Sequence, residues 1–344
     1  MMTGRSLSRA GAVAGMVMAG ALAGCSSSGV TPDAASRPPD DRVITVDAVP
    51  AAEEGGLYVA QAQDFFSQFG LTVKIKSIAG AASGIPDLQS GRAQLVAGNY
   101  VPFIMAQMAG SFDRKPVSMR IVAAGAEIRP GSEALYVMPR SPFQTLAELA
   151  RAHARIGLDA ADDAGGVLVG ALLAQAGYHL GDIRPVIPAA GFTALPGLLA
   201  SGQVDAAWLP QPIGEAAEQR YGALPVADFD QGSLQDFPFT GYLGNTQWVD
   251  THPDTVAAFL RALSEGQQLA DTDRAAVESA MERYTAVPPV IADTMAIDSY
   301  PLEMDVPQLQ RVADSMYEFG LTPGAKAPYR VASMIQPEPG LTGG

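Results

Sequence analysis

A short pattern that occurs twice constrains the fold of this chain more than any other feature. Residues 88–96 read Leu-Gln-Ser-Gly-Arg-Ala-Gln-Leu-Val, and residues 199–207 read Leu-Ala-Ser-Gly-Gln-Val-Asp-Ala-Ala. In both copies a helix is predicted to end at a glycine that can adopt the left-handed conformation. A polar turn then leads into a buried strand. The repetition predicts two similar α/β lobes, each of which places a strand end at a shared cleft.

Short apolar runs alternate with helical segments along most of the chain, a pattern typical of α/β proteins. Strands are predicted at residues 43–46, 71–78, 95–97, 120–123, 135–138, 155–158, 184–187, 206–209, 224–227 and 242–243. Helices are predicted at residues 57–69, 101–109 and 166–176, and the chain after Pro253 is mostly helical, with helices at 274–284 and 306–319. The Pro- and Gly-rich residues 337–344 are predicted to be a disordered tail.

The N-terminal residues 1–24 have the composition of a signal peptide. Arg5 and Arg9 precede an apolar run over residues 10–23, and small residues close that run before Cys25. Small residues at this point mark signal-peptide cleavage. The quartet Leu-Ala-Gly-Cys at 22–25 resembles the lipobox of bacterial lipoproteins, which implies that Cys25 is lipidated. The alternatives are a plain signal peptide or a short transmembrane helix, although the run is short against the ~20 residues of a membrane span.

Composition constrains both the structure and the function of the chain. Residues 25–41 are rich in Ser, Gly and Pro and predict a flexible tether. Cys25 is the only cysteine, so the mature domain is expected to have no disulfide. The 22 Lys and Arg against 36 Asp and Glu argue against a nucleic-acid partner. The three histidines are far apart, and no nucleotide or hydrolase motif is present, so no catalytic residue, metal or cofactor is predicted.

Several motifs resemble, in their order and spacing, those of ABC-transporter solute-binding proteins. They are the segment 49–60 with its Gly-Gly pair, the segment 65–73, the two Leu-x-Ser-Gly units, Asn99 with Tyr100, and Trp-Leu-Pro-Gln-Pro at 208–212. The branch is the nitrate/sulfonate/taurine group, which includes binders of thiamine-pyrimidine precursors. The resemblance covers roughly residues 43–319.

The resemblance implies an α/β, two-lobe, periplasmic-binding-protein-like (type II) fold with two crossover hinge strands, near 134–138 and 239–245. Lobe 1 would be residues 42–137 plus 240–336, and lobe 2 residues 138–239. It also implies a small-molecule ligand captured by hinge closure, ABC permease subunits as partners, and an extracytoplasmic location with a lipid anchor on Cys25. A ligand-sensing receptor for a membrane kinase and an exported enzyme on the same scaffold are the alternatives. The pyrimidine synthases related in fold rely on a cysteine cluster that this chain lacks.

Ligands in open α/β sheets bind outside the carboxyl ends of the strands, which selects a set of candidate ligand-binding residues. They are Pro50, Glu53, Ser83, Asn99, Tyr100, Arg129, Asp159, Asp163, Phe192, Thr193, Trp208 and Gln211. Trp208 and Tyr100 are predicted at equivalent places in the two lobes, where they could sandwich a planar or cationic solute. Either could instead be an ordinary core aromatic, which the sequence slightly favours for Tyr100, whereas it favours the cleft for Trp208. Ser83 could contact ligand or cap a helix, and Asn99 could be a turn residue.

The acidic loop at 159–166 bears on the charge of the ligand. Oxyanion-binding members of the family usually have Ser or Thr where this lobe's helix begins, whereas Asp162 or Asp163 is predicted to cap the helix here. A carboxylate at that point repels sulfonate or nitrate, although Arg129 could clamp an anion. Glu53, Glu54 and Glu127 could pair with an ammonium or amidine group. The sequence therefore favours a neutral or cationic, planar, nitrogen-containing solute.

Overall fold

The computed structural model describes residues 42–110, 118–160, 162–189 and 191–335. The predicted signal peptide, Cys25, the tether and the tail at 337–344 lie outside the described residues. The strands are β1 (Val43–Ala48), β2 (Thr72–Ser77), β3 (Leu95–Asn99), β4 (Met119–Ala124), β5 (Glu133–Val137), β6 (Arg155–Gly157), β7 (Arg184–Val186), β8 (Ala206–Pro210), β9 (Leu224–Asp228) and β10 (Thr240–Asn245).

The helices are α1 (Gly55–Ala62), α2 (Phe65–Gln68), α3 (Ala81–Ser90), α4 (Tyr100–Gly110), α5 (Leu146–Arg151), α6 (Ala164–Gln175), α7 (Leu195–Ala200), α8 (Ile213–Tyr221), α9 (Thr246–Thr251), α10 (Pro253–Thr272), α11 (Arg274–Thr285), α12 (Pro289–Ala292) and α13 (Val306–Glu318). The single helix predicted over 57–69 is two helices, because Asp64 between them adopts a left-handed conformation with φ 58°. Within the described residues, no helix is both long and apolar enough to cross a membrane.

The strands form two five-stranded sheets with matching topology. Their spatial orders are β2-β1-β3-β10-β4 and β7-β6-β8-β5-β9. In each sheet three neighbouring strands are parallel, and the fourth runs antiparallel to both of its neighbours. The glycines of the repeated pattern, Gly91 and Gly202, have φ of 74° and 71° and precede the equivalent strands β3 and β8. The predicted two-lobe α/β fold is therefore confirmed.

The predicted boundary of the first lobe is wrong by one strand. We predicted that lobe 1 continues to residue 137, but β5 pairs with β8 and β9 of the second sheet. Its residues 134–137 are buried, so the strand needs neighbours on both edges as well as cover on both faces. The chain therefore leaves the first sheet before Glu133, in residues 125–132, and returns before β10, which pairs with β3 and β4.

The C-terminal helices cover the first sheet and connect the lobes. Helix α10 packs against α1, and the rings of Phe66 and Phe259 stack with centroids 5.5 Å apart. Helix α13 contacts α4 near the first sheet and α6 near the second. The guanidinium of Arg311 on α13 donates to the carbonyls of Ser233 and Gln235 at 2.8 and 2.9 Å. Helix α13 therefore connects the two lobes.

Candidate functional site

A cavity of about 230 Å³ lies where the carboxyl ends of the two sheets meet. Its walls are the loops after β1, β2 and β3 in the first lobe and after β6, β7 and β8 in the second. Seven of the candidate residues line it: Glu53, Ser83, Asn99, Asp159, Asp163, Phe192 and Trp208. Val49, Gly80, Pro210 and Phe239 also line the wall, and alanines and a glycine of the same loops complete it. That these residues bind a ligand stays a prediction.

The aromatic sandwich that we predicted from Tyr100 and Trp208 is wrong. Tyr100 begins α4 and is 2% exposed in the core, where a Cβ added at Gly241 would lie 2.4 Å from its ring. Counted along the repeated pattern, Trp208 in β8 corresponds to Ala97 in β3 rather than to Tyr100. The aromatic surfaces that accompany Trp208 in the cavity are those of Phe192 and Phe239.

Four further candidates do not line the cavity. Arg129 is paired with Asp236 at the surface. Pro50 is half-buried in the loop after β1, and Thr193 is exposed beside Phe192. Their positions as loop residues were predicted, but loop position alone does not determine the direction of a side chain.

Gln211, the fourth of these, holds the two lobes together. Its Nε2 donates to the carbonyl of Gly131 at 3.1 Å, and its Oε1 accepts from the amide of Glu215 at 3.1 Å. The backbone carbonyl of Gln211 accepts from the amide of Ala52 in the first lobe at 3.2 Å. The side-chain amide of Gln211 therefore stabilises the crossover region and does not line the cavity.

The polar wall of the cavity is acidic. Glu53, Asp159 and Asp163 contribute carboxyl groups, whereas none of the described lining residues is Lys, Arg or His. Asp163 caps α6, as predicted for Asp162 or Asp163, since its side chain accepts from the amide of Ala164 at 2.7 Å. Burial raises the pKa of Asp163, and the charge of Asp163 adds to burial in raising the pKa of Asp159 well above its usual value. An anion would meet repulsion along this wall wherever these carboxyl groups are ionised.

Two buried acids that the sequence did not indicate lie behind the cavity. Glu133 is 1% exposed, and its Oε2 accepts from Nε1 of Trp208 at 2.6 Å. Asp298 is 5% exposed, and burial raises its pKa to about 7. Burial, followed by the charge of Asp298, raises the pKa of Glu53 to about 8. An acidic residue before an apolar strand normally predicts an exposed strand end. The sequence therefore does not indicate that Glu133 is buried.

The start of α3 supplies the opposite polarity on the first-lobe side. Gly80 precedes the helix without a side-chain cap, so the first backbone N–H groups of α3 lie at the cavity wall. The hydroxyl of Ser83 donates to the carbonyl of Gly80 at 2.7 Å and so stabilises the turn. An acceptor atom of a solute would be favoured here, opposite the carboxyl groups.

We expect Gly165→Ala to disturb the cavity wall directly. A Cβ at Gly165 would lie 2.6 Å from Oδ1 of Asp159 and 2.9 Å from Cε3 of Trp208, so both side chains must move. Thermal unfolding and Trp fluorescence should both change. Gly197→Ala in α7, where a Cβ meets nothing within 4 Å, is the matched control and should leave both unchanged or slightly raise stability. Identical behaviour of the two variants would contradict the packing described here.

The chain belongs to the NMT1/THI5-like family. A family profile described as NMT1/THI5 like matches residues 52–274, more than half of the chain. The predicted resemblance to this group of solute-binding proteins is thereby confirmed. A comparison with curated protein sequences finds no significant match.

Solved structures share the fold at low sequence identity. The alkanesulfonate-binding protein SsuA from Xanthomonas axonopodis pv. citri, bound to MOPS, is 19% identical, covers 86% of this chain and 98% of its own, and has a TM-score of 0.69. The periplasmic nitrate-binding protein NrtA from Synechocystis PCC 6803 is 14% identical, covers 83% of each chain, and has a TM-score of 0.70. The desulfurization enzyme DSZB is 17% identical, covers 86% of this chain and 96% of its own, and has a TM-score of 0.65.

Proposed function

We propose that this protein is the extracytoplasmic solute-binding component of an ABC importer. In this proposal it captures a small nitrogen- or sulfur-containing organic solute by hinge closure and delivers it to the permease. The observation that carries the proposal is the cavity lined by strand-end loops of both sheets, beside the segments in which the chain crosses between them. Lobes joined in this way can rotate about the crossovers and enclose a solute. Family membership supports the proposal.

A thermal-shift screen tests the proposal. The panel contains nitrogen heterocycles, amines, sulfonates and nitrate. A solute at a hundred times its Kd should stabilise the protein by ~2.7 kcal/mol. Deletion of the gene should then abolish cellular uptake of the stabilising compound. Uptake that is unchanged while transcription responds to the compound would favour a receptor for a membrane kinase instead.

We infer that the solute is neutral or cationic and contains a planar nitrogenous group. Three carboxyl groups line the cavity, Trp208 and two phenylalanines supply aromatic surface, and no basic side chain is among the described lining residues. The start of α3 favours an acceptor atom at the other end of the solute. Nitrate or an alkyl sulfonate is the alternative class, and stabilisation by one of these alone in the screen would favour it.

An enzyme is the second candidate, because a desulfurization enzyme shares the fold. Among the described lining residues, Ser83 carries the one hydroxyl group, and that hydroxyl donates to a backbone carbonyl rather than to a base. A serine nucleophile needs an adjacent base to accept its proton. We therefore favour binding over catalysis. Recovery of each stabilising solute chemically unchanged after prolonged incubation tests this choice.

We also propose that Cys25 carries a lipid anchor that holds the protein at the outer face of the cell membrane or on its periplasmic side. The quartet Leu-Ala-Gly-Cys at 22–25 supports this. Cys25→Ser should abolish incorporation of a labelled fatty acid and leave the protein unprocessed or released from the membrane fraction. Label retained in Cys25→Ser would contradict the assignment of Cys25.

A further inference from the structure

Three buried carboxyl groups from separate segments of the chain cluster at the wall of the cavity and behind it. Glu53 lies in the short 3-10 helix after β1, Glu133 begins β5, and Asp298 lies between α12 and α13. Their exposures are 8%, 1% and 5%. Each has one oxygen without a hydrogen-bond partner: Oε2 of Glu53, Oε1 of Glu133 and Oδ1 of Asp298. We call these three residues the carboxyl cluster.

Negative charge in the carboxyl cluster has little compensation. The three members are linked electrostatically, since the charge of Asp298 adds to burial in raising the pKa of Glu53, and the charges of Glu53 and Asp298 add to burial in raising the pKa of Glu133. The positive charge of Arg129 favours ionised Asp298, but Arg129 is already paired with Asp236. A buried charge without a partner is strongly unfavourable, so the protonated form of these carboxyl groups has the lower free energy.

The groups that face the carboxyl cluster do not change this balance. Glu54 is fully buried and Asp159 lines the cavity; either would add negative charge on ionising, but the pKa of each is also raised well above its usual value, mainly by burial. The hydroxyls of Tyr58 and Tyr300 donate to the backbone carbonyls of Val49 and Ala52. The remaining polar contacts are the indole N–H of Trp208 on Glu133, the hydroxyl of Ser132 on Asp298, and backbone hydrogen bonds to the carboxyl groups of Glu53 and Asp298.

Glu53 connects the carboxyl cluster with the solute, because it belongs to the cluster and also lines the cavity. A protonated nitrogen placed against Glu53 would supply the missing positive charge. Asp159 and Asp163, on the opposite lobe, would face the same cation when the lobes are closed. Charge-assisted hydrogen bonds of this kind are among the strongest in proteins.

We propose that the solute binds this cavity as a cation and that a proton leaves the carboxyl cluster as it binds. The inference rests on the proposed function and specifies its ligand and its pH dependence. In this exchange the carboxylic acid O–H of Glu53 gives its proton to solvent, and the resulting carboxylate accepts a hydrogen bond from the bound ammonium or amidinium nitrogen. Charge in the site therefore changes little.

The exchange fixes the sign of the pH dependence. Binding that releases one proton becomes up to about ten-fold tighter for each unit of increasing pH. The rise should end near pH 8, because the pKa of Glu53 is about 8 and the carboxyl is then already ionised. An anionic solute would show the opposite trend.

Three planar probes of matched shape test the inference by calorimetry: benzamidinium, neutral benzamide and benzenesulfonate. We expect benzamidinium to bind most tightly, with affinity rising between pH 6 and 8 and with heats in two buffers that report proton release. Glu53→Gln should weaken benzamidinium binding and remove most of the proton release. Glu282→Gln, an exposed carboxyl on α11, is the control and should match the wild type.

Tighter binding of benzenesulfonate, or no binding of benzamidinium, would overturn the cationic ligand. Binding of benzamidinium without proton release would overturn the exchange. Either result leaves the solute-receptor function open to its own test, the screen and uptake assay.

A ligand-free measurement covers the case in which Glu53→Gln does not fold. In a Trp248→Phe background, which removes the indole stacked on His252, the fluorescence of Trp208 should titrate between pH 6 and 9 as Asp298 and Glu53, which act electrostatically on Glu133 beside the indole, ionise. Fluorescence that stays constant over this range would overturn the protonated cluster.

Discussion

Raising the pH from 5 to 8 is expected to lower the free energy of unfolding of the ligand-free protein steeply. Burial together with the charge of Asp298 raises the pKa of Glu53 to about 8, and burial raises that of Asp298 to about 7. In the unfolded chain both groups ionise near pH 4. The folded state therefore retains protons that the unfolded state has released, so stability is complete below about pH 4 and is lost as the pH rises toward 8.

For each group that is protonated in the folded state and ionised in the unfolded state, the free energy of unfolding falls by ~1.4 kcal/mol for every unit by which the pH rises. Carboxyl groups with lowered pKa, such as Asp87 at about 2, act below pH 4 and do not offset this loss. Urea unfolding at pH 5, 6, 7 and 8 measures the slope. Glu53→Gln with Asp298→Asn should flatten it, whereas Glu282→Gln should not. Stability that is constant or rises over this range would contradict the account.

Trp208→Ala is expected to damage both stability and binding. Trp208 is 4% exposed, and its truncation removes a large buried ring and leaves the carboxyl of Glu133 without its donor. Loss of a buried Trp costs about 3–5 kcal/mol of stability. Loss of an aromatic contact should also weaken solute binding about ten-fold or more. Trp208→Phe keeps a ring but lacks the N–H, and so separates the two contributions.

Arg129→Ala is the comparison variant for Trp208→Ala. Arg129 pairs with Asp236 in partial exposure and does not line the cavity, so its loss should cost at most about 1 kcal/mol. Calorimetry with the most stabilising compound of the screen should find nearly unchanged affinity. If Arg129→Ala abolishes binding and Trp208→Ala leaves it intact, the solute is an anion and the inferred ligand class is wrong.

The sequence predicted the fold well because its signals were local and repeated. Gly91 and Gly202 each mark the same turn before a central strand, and the apolar runs predicted where in the sequence each described strand lies. The error at β5 has a physical cause, since an apolar run indicates that a strand is buried but not which sheet buries it. The break at Asp64 likewise depends on one left-handed residue inside an otherwise helical pattern.

The candidate site was predicted less completely. Strand ends located the loops, and the capping role of Asp163 followed from its position before an apolar helix. The direction of side chains such as Tyr100 and Gln211 depends on packing between distant segments. The burial of Glu133 and Asp298 arises where β5 and the segment after α12 meet the first lobe, which no local pattern records.

Solution X-ray scattering tests the central claim, a two-lobe receptor that closes on its solute, most directly. The radius of gyration would be measured without solute and with a saturating amount of the most stabilising compound, saturation being established by calorimetry. The account predicts a smaller radius of gyration in the bound state, because both lobes contribute wall residues to one cavity. A saturated protein whose radius of gyration is unchanged would contradict it.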